Sequence, residues 1–167
     1  MRNELTRGDI QQMQDELDYR RGTLRHRLLD EVKTARAFGD LSENFEYKAA
    51  KQEKNRNESR IRYLENMIKT AVIIDDRSGS DTIGLYDRVT IRPEDDDEEE
   101  TLQLVTTMRQ DALEGLISKD SPVGRALMGK RVGDTVHIQV NDRFGYDAVI
   151  VRVEKGKDDD SIPISSY

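Results

Sequence analysis

The spacing of apolar residues along this chain changes near residue 70, which divides the sequence into two kinds of structure. Between residues 10 and 35, apolar side chains recur at steps of three, four or seven, as on one face of an α-helix. These residues are Ile10, Met13, Leu17, Leu24, Leu28, Val32 and Ala35. A second stripe runs from Ala50 to Ile61, Leu64 and Ile68, although residues 51–60 contain no apolar side chain. The pattern predicts two long packed helices whose base, near Leu17 and Leu64, is better packed than their outer part.

The start of the first helix carries a local signal. Thr6 and Asp9 have the spacing of a capping box, in which each side chain accepts a hydrogen bond from a free backbone amide. A helix of about 32 residues from this point would be roughly 48 Å long. Gly22 interrupts it without an evident reason. The charged face of the second helix is predicted to carry Lys48, Lys51, Arg56, Arg60 and Arg62.

After residue 70 the apolar period becomes that of β-strands. Alternating or continuous apolar runs predict strands at residues 71–75, 86–91, 101–107, 135–140 and 146–153. One helix interrupts them, because Ser121 can cap it, Pro122 suits its first turn and Gly129 follows its end. We expect an α+β protein with an N-terminal antiparallel helical hairpin over residues 1–75 and a small antiparallel β domain over residues 76–167.

The charge is unevenly distributed. The net charge is −7, which argues against general binding to nucleic acid. Residues 1–70 carry 15 basic and 13 acidic residues, and residues 71–167 carry 12 and 21. The first part is therefore nearly balanced, whereas the second is acidic.

Composition also limits the chemistry. The chain has no cysteine and only two histidines, His26 and His137, so disulfides and a zinc site are not expected. The first residues do not resemble a signal peptide, and no run of 18 apolar residues occurs. We expect a cytoplasmic protein that does not enter a membrane.

Two acidic segments have no evident ligand spacing. Residues 94–100 follow Pro93 as an unbroken acidic run, which predicts a solvated loop between two strands. The tail from Lys157 contains three successive aspartates and is expected to be frayed.

The stretch Gly39-Asp40-Leu41-Ser42-Glu43-Asn44 lies where the two predicted helices reverse direction. Gly39 can adopt the unusual backbone angles of such a turn. Asp40 and Glu43 would then project from the far end of a long arm. Phe38, Phe45 and Tyr47 flank them, and this concentration of aromatic residues indicates a functional surface.

Two separated stretches resemble the bacterial Gre family of transcript cleavage factors, of the GreA/GreB type. Residues 35–50 resemble the family's tip, an Asp-Leu-x-Glu-Asn-x-Glu-Tyr pattern after a glycine. Residues 116–130 resemble its C-terminal Ile-Ser-x-x-Ser-Pro…Ala-Leu-x-Gly pattern. Residues 105–111 depart from the family sequence, and Phe45 stands where a small residue is expected.

The resemblance implies a coiled-coil hairpin, a C-terminal domain of FKBP-like fold and a task in transcription. Gre factors bind RNA polymerase, insert the hairpin through its secondary channel and stimulate hydrolysis of the 3′ end of backtracked RNA. Asp40 and Glu43 would help the polymerase hold its second magnesium ion and orient the attacking water. The implied partners are bacterial RNA polymerase and the nascent RNA 3′ end. We expect a free monomer that binds no magnesium and has no nuclease activity of its own.

The resemblance also assigns supporting residues. Those expected to support the tip are Phe38, Asn44, Phe45, Glu46 and Tyr47. The residues expected to bind polymerase are Ser118, Ser121 and Pro122, together with the helix that follows.

Alternatives remain at this point. Asp40 and Glu43 could form a capping box at the start of the second helix. A Gre-like paralogue could occupy the same channel and inhibit polymerase. The C-terminal half could act as a prolyl isomerase, although it offers few aromatic residues for a proline pocket. The hairpin could instead bind a partner helix, but residues 51–60 present no apolar face for one.

Overall fold

The computed structural model describes residues 3–39 and 44–166. The chain packs as two compact units, one formed by Asn3 and residues 10–71, the other by residues 4–9 and 72–166. The first is helical and the second contains a β-sheet, which confirms the α+β class. The sequence-based division after residue 75 had placed residues 4–9 and 72–75 with the helices.

The helical unit is an antiparallel hairpin. Its first arm comprises α1 (Arg7–Tyr19), whose first three residues belong to the other unit, a π-helical segment (Arg20–Leu24) and α2 (Arg25–Arg36). Its second arm is α3 (Phe45–Thr70). The predicted capping box is confirmed: the Thr6 amide donates to Asp9 Oδ2 over 3.0 Å, and the Asp9 amide donates to Thr6 Oγ1 over 3.3 Å.

The apolar faces of the two arms meet along a contact that we call the seam. Its buried apolar residues are Met13, Leu17, Leu28, Ala35, Ile61 and Leu64. Where α3 lacks apolar side chains, the seam contains Asn57 and Arg60, each only 3% exposed. The prediction that Arg60 lies on the outer charged face is therefore wrong, because Glu16 accepts hydrogen bonds from Arg60 inside the seam.

The β-sheet unit contains a five-stranded sheet of order β5-β4-β3-β7-β6. Its strands are β3 (Arg88–Pro93), β4 (Glu100–Val105), β5 (Leu116–Ser118), β6 (Thr135–Gln139) and β7 (Gly145–Glu154). The pairing is antiparallel except between β4 and β5, which run parallel. The short β5 was not predicted, and its parallel pairing departs from the expected antiparallel domain. A separate two-stranded sheet joins β1 (Asn3–Leu5) to β2 (Ala71–Ile73).

One face of the main sheet is covered by α4 (Pro122–Leu127). Leu127 is buried with apolar residues of β3, β4, β6 and β7. The acidic residues 94–99 connect β3 to β4 and are exposed, as predicted. Within residues 3–39 and 44–166, no group of three or more acidic or histidine side chains is arranged to hold a metal ion. Over the same ranges, no helix combines the length and apolar character needed to cross a bilayer.

The expectation of a frayed tail is wrong, because residues after Lys157 pack against the β-sheet unit. Ile162 is buried beside Leu85, Tyr86 and Val105. The Ser165 amide donates to the Met108 carbonyl over 2.6 Å. The acidic run at 158–160 therefore belongs to a packed segment.

The start of this packed segment contacts a buried cation, Arg109. The Arg109 Nε donates to Asp9 Oδ1 over 2.5 Å, and its Nη2 donates to Asp158 Oδ1 over 2.8 Å. Its guanidinium also lies 4.8 Å from the centre of the Tyr86 ring. Arg109 and Asp9 are fully buried. The unpredicted contact thus joins three distant segments of the chain within one unit.

Candidate functional site

The candidate site is the end of the hairpin, between the C-terminus of α2 and the start of α3. Asp40 and Glu43 lie outside the described residues, so their assignment stays a prediction. The structure describes the residues on either side of them. These flanking residues fix where the segment 40–43 leaves one arm and enters the other.

The first flank is the end of α2. The Phe38 amide donates to the Ala35 carbonyl over 3.2 Å, which closes the last turn. Gly39 then has a φ of +130°, a value that side chains with a Cβ atom rarely adopt. The expectation that Gly39 adopts unusual backbone angles at this turn is confirmed.

The second flank is Asn44, which caps α3 and ties it to the other arm. Its Oδ1 accepts a hydrogen bond from the Tyr47 amide over 3.0 Å, as an N-cap does. Its Nδ2 donates to the Ala35 carbonyl over 2.7 Å. Asn44 therefore fills the capping role that the alternative interpretation gave to Asp40. Capping of α3 therefore does not explain why an acidic residue stands at position 40.

Tyr47 lies one turn into α3 and contacts Arg36 at the end of α2. The Arg36 Nη2 donates to the Tyr47 hydroxyl over 3.2 Å, and the guanidinium lies 5.4 Å from the ring centre. This hydrogen bond holds the pKa of the Tyr47 hydroxyl below its usual value. Arg36 was not predicted as a site residue, although a cation in the last turn of a helix is favoured by the helix dipole.

The other predicted tip residues are exposed. Phe38 and Phe45 are 73% and 79% exposed, and in the sequence they precede and follow the segment 40–43. The Lys48 ammonium is 5.6 Å from the centre of the Phe45 ring. Glu46 is exposed and supplies the sole carboxylate among the described residues from 37 to 48. Two exposed aromatic side chains at the ends of the two arms indicate a surface that is completed by another molecule.

The residues predicted to bind polymerase have clear structural roles. Ser118 is 5% exposed, and its Oγ accepts a hydrogen bond from the Asp120 amide over 3.1 Å. Ser121 caps α4 by accepting from the Gly124 amide over 3.0 Å, and its hydroxyl donates to the Ser118 carbonyl. A Cβ on Gly124 would lie 2.2 Å from that carbonyl. These residues build the turn between β5 and α4, and of the three predicted residues only Pro122 is exposed.

A helical hairpin followed by a β-sheet unit is the two-part arrangement that the sequence resemblance predicted. The family model described as "Transcription elongation factor, N-terminal" matches residues 3–73, and "Transcription elongation factor, GreA/GreB, C-term" matches residues 78–155. The chain belongs to the GreA/GreB family of transcription elongation factors.

Individual relatives agree with this assignment. The transcription elongation factor GreA of Geobacillus kaustophilus is 45% identical over 136 residues, which cover 81% of this chain and 86% of that protein. GreA of Bacillus subtilis is 43% identical over 129 residues, covering 77% and 82%. Among solved structures, GreA factor homolog 1 of Thermus thermophilus is 27% identical and covers 93% of this chain and 100% of its own, with a TM-score of 0.43. The general role of the chain is that of a transcription elongation factor.

Proposed function

We propose that this protein binds bacterial RNA polymerase, inserts its hairpin through the secondary channel and stimulates cleavage of the 3′ end of backtracked RNA. Cleavage would give an arrested complex a new RNA end from which elongation resumes. Family membership supports the partner and the task. The observation that carries the proposal is that Phe38 and Phe45 are exposed at the ends of the two arms, and that the sequence between them contains Asp40 and Glu43.

The geometry of the described flanks supports delivery of the acids into another protein. α3 has 26 residues, which corresponds to about 39 Å at 1.5 Å per residue. Asn44 bridges both arms directly beside the segment 40–43. This bridge would keep the end of the hairpin closed while the arm enters a narrow channel.

The donor set fits a shared magnesium ion. Magnesium prefers oxygen ligands and is commonly held by one or two protein carboxylates together with water and phosphate oxygens. When bound, the ion would activate water and stabilise the phosphodiester transition state. Asp40 and Glu43 would supply carboxylate oxygens to the ion and accept hydrogen bonds from the attacking water. Phe38 and Phe45 would contact the unpaired RNA end by stacking.

Two consequences follow for the free protein. Two carboxylates at the end of an arm cannot build a two-metal site alone, so we expect no RNA cleavage without polymerase. Docking would rest on the β-sheet unit, through the surface formed by Pro122 and the exposed side of α4. Ser118 and Ser121 would act by shaping this surface, because their side chains are used in the turn.

The experiment uses a backtracked polymerase complex with labelled RNA, scored in parallel for cleavage and for binding. Asp40→Asn and Glu43→Gln should each abolish most stimulated cleavage while binding stays nearly unchanged, because an amide keeps the shape but removes the charge. Raising the magnesium concentration should partly restore cleavage by the less active of the two variants, since a damaged site loses metal occupancy before it loses its geometry.

The matched control is Glu53→Gln, which changes an exposed carboxylate on α3, away from the segment 40–43. This variant should stimulate cleavage normally. Normal cleavage by the double variant of Asp40 and Glu43 would end the proposed mechanism. Slower intrinsic cleavage on adding the unmodified protein would favour the inhibitory alternative.

A further inference from the structure

The π-helical segment separates two regular stretches of the first arm. Residues that face the seam on either side of it are buried or half-buried and follow steps of three, four and three. The first set is Ile10, Met13, Leu17 and Arg20, and the second is Arg25, Leu28, Val32 and Ala35. The alternation requires a step of four between the sets, but the step from Arg20 to Arg25 is five. The first arm therefore contains one residue more than a regular coiled-coil repeat.

The second arm contains no such addition over its described length. Along its seam face, a continuous series of positions at steps of three and four is buried or half-buried throughout. They are Tyr47, Ala50, Lys54, Asn57, Ile61, Leu64 and Ile68. The hairpin thus pairs an uninterrupted repeat with one that has an extra residue.

The π-helical segment absorbs the extra residue. The Arg25 amide donates to the Arg20 carbonyl, five residues earlier, and also to the Gly22 carbonyl. A π turn holds one residue more than an α turn. In a coiled-coil helix that kept 3.5 residues per turn without a π turn, the extra residue would rotate everything beyond it by about 100°. Leu28 and Ala35 would then leave the seam.

Asn57 of α3 faces this segment from the other arm. Its Nδ2 donates to the Arg20 carbonyl over 3.1 Å, and its Oδ1 accepts from the Arg20 Nη1 over 3.0 Å. The Arg20 Nε donates to Glu16 Oε2 over 2.7 Å. Asn57 therefore contacts both the backbone and the side chain of the residue at which the repeat is broken.

Further charged contacts continue this polar layer. Glu16 accepts two hydrogen bonds from Arg60, at 2.7 and 3.1 Å. Burial alone would raise the pKa of Glu16, but hydrogen bonds from Arg60 and Arg20 hold it below its usual value. Polar groups buried in an otherwise apolar seam favour one register, since other registers leave them without partners.

We propose that the π-helical segment and the polar layer of Glu16, Arg20, Asn57 and Arg60 form a register lock, which sets the rotation of residues 25–36 against α3. Asn57 and Arg20 are then positioning residues for the segment 39–44. The rotation itself is independent of the proposed function; only its effect on cleavage rests on that function.

The test uses thiol labelling in the full chain, which contains no cysteine. Leu28→Cys is a seam probe, because Leu28 is 6% exposed, and Leu29→Cys is an exposed probe, at 43%. In the otherwise unchanged protein, Cys at 28 should react at least about tenfold more slowly than Cys at 29, because buried thiols are inert.

Deleting Gly22 removes the extra residue, so the first arm can become a regular helix without rotating residues 25–36. The seam probe should stay protected. The matched control deletes Asn55, an exposed residue of α3, where no extra residue exists. That deletion should remove most of the protection. Equal exposure of the seam probe in both deletions would overturn the proposal.

Asn57→Leu tests the lock itself. It should raise labelling of the seam probe by roughly tenfold, because residues 25–36 then populate the rotated register. Deleting Gly22 in the same chain should restore protection, which a mere loss of stability would not do. Asn57→Asp keeps an acceptor for Arg20 but loses the donor to its carbonyl, and should also raise labelling. Unchanged labelling in both substitutions, or no rescue by the deletion, would overturn the proposal.

Cleavage provides a second measurement on the same variants. Asn57→Leu should lower stimulated cleavage, and deletion of Gly22 should restore it. If the unmodified protein stimulates no cleavage, the proposed function fails while the labelling result still decides the register lock.

Discussion

Replacing the buried cation by Arg109→Met should cause a large loss of stability in the β-sheet unit. The substitution keeps an unbranched side chain but removes the donors to Asp9, to Asp158 and to the Asp159 carbonyl. Asp9 would then remain fully buried, with only the Thr6 amide at 3.0 Å and the Thr106 hydroxyl at 2.7 Å as donors. Breaking a buried ion pair from one side costs about 3–5 kcal/mol.

The two carboxylates that contact Arg109 differ in burial, so their contributions to the free energy of unfolding should differ. Asp158 is 30% exposed, so water can replace part of its interaction. Asp158→Asn should therefore cost about 1 kcal/mol, the range of an ordinary hydrogen bond. In a double-mutant cycle, Asp9→Asn combined with Arg109→Met should cost clearly less than the sum of the single changes, because the two groups contact each other.

The assay is urea unfolding followed by tyrosine fluorescence and circular dichroism. The matched control is Arg131→Met, whose ion pair with Asp81 is exposed at 3.5 Å and should change the free energy of unfolding by less than about 0.5 kcal/mol. An isolated fragment of residues 76–167 lacks Asp9 and should be destabilised like Arg109→Met. A loss below about 1 kcal/mol in Arg109→Met would refute the assignment of Arg109 and Asp9 as a buried ion pair.

Three further predictions concern the hairpin and α4. Hydrogen bonds from Arg25 lower the pKa of Glu58, so this pair stabilises the hairpin above the ordinary glutamate pKa, and the stabilisation is lost as pH falls through the lowered folded pKa. Acid unfolding should therefore shift to higher pH in Arg25→Gln. Gly124→Ala should lower the melting temperature of the β-sheet unit more than Ala126→Gly does, because the new methyl group would contact the Ser118 carbonyl. Arg125→Glu on the exposed side of α4 should weaken polymerase binding in a competition assay, whereas equal binding would place the docking surface elsewhere.

Elements set by neighbouring residues could be predicted from the sequence. The capping box of Thr6 and Asp9, and the cap of α4 by Ser121, both depend on groups three residues apart. The two arms follow from their apolar stripes for the same reason. Gly39 was identified because the chain must reverse direction between two helices, and its φ of +130° agrees.

Contacts between distant residues left no such pattern. The partner of Asp9 is 100 residues away, and the aspartates after Lys157 could not be matched with Arg109 from their composition. The extra residue in the first arm was hidden in the sequence because Leu17, Leu24 and Leu28 also share one face of a straight α-helix with 3.6 residues per turn. In the candidate site, the bridge from Asn44 to Ala35 depends on the approach of two arms. The assignment of Asp40 and Glu43 as site residues rests on their residue types and their spacing in the sequence.

The ligands of Arg109 also arrive at different times during synthesis. Asp9 is synthesised 100 residues before Arg109, whereas Asp158 follows 49 residues after it. A nascent chain can therefore form the first contact once Arg109 is made but cannot form the second until a further 49 residues have been synthesised. A premature stop codon after residue 156 would remove a ligand of Arg109 and the buried Ile162 together. Such a short truncation should impair folding as a substitution in the core would.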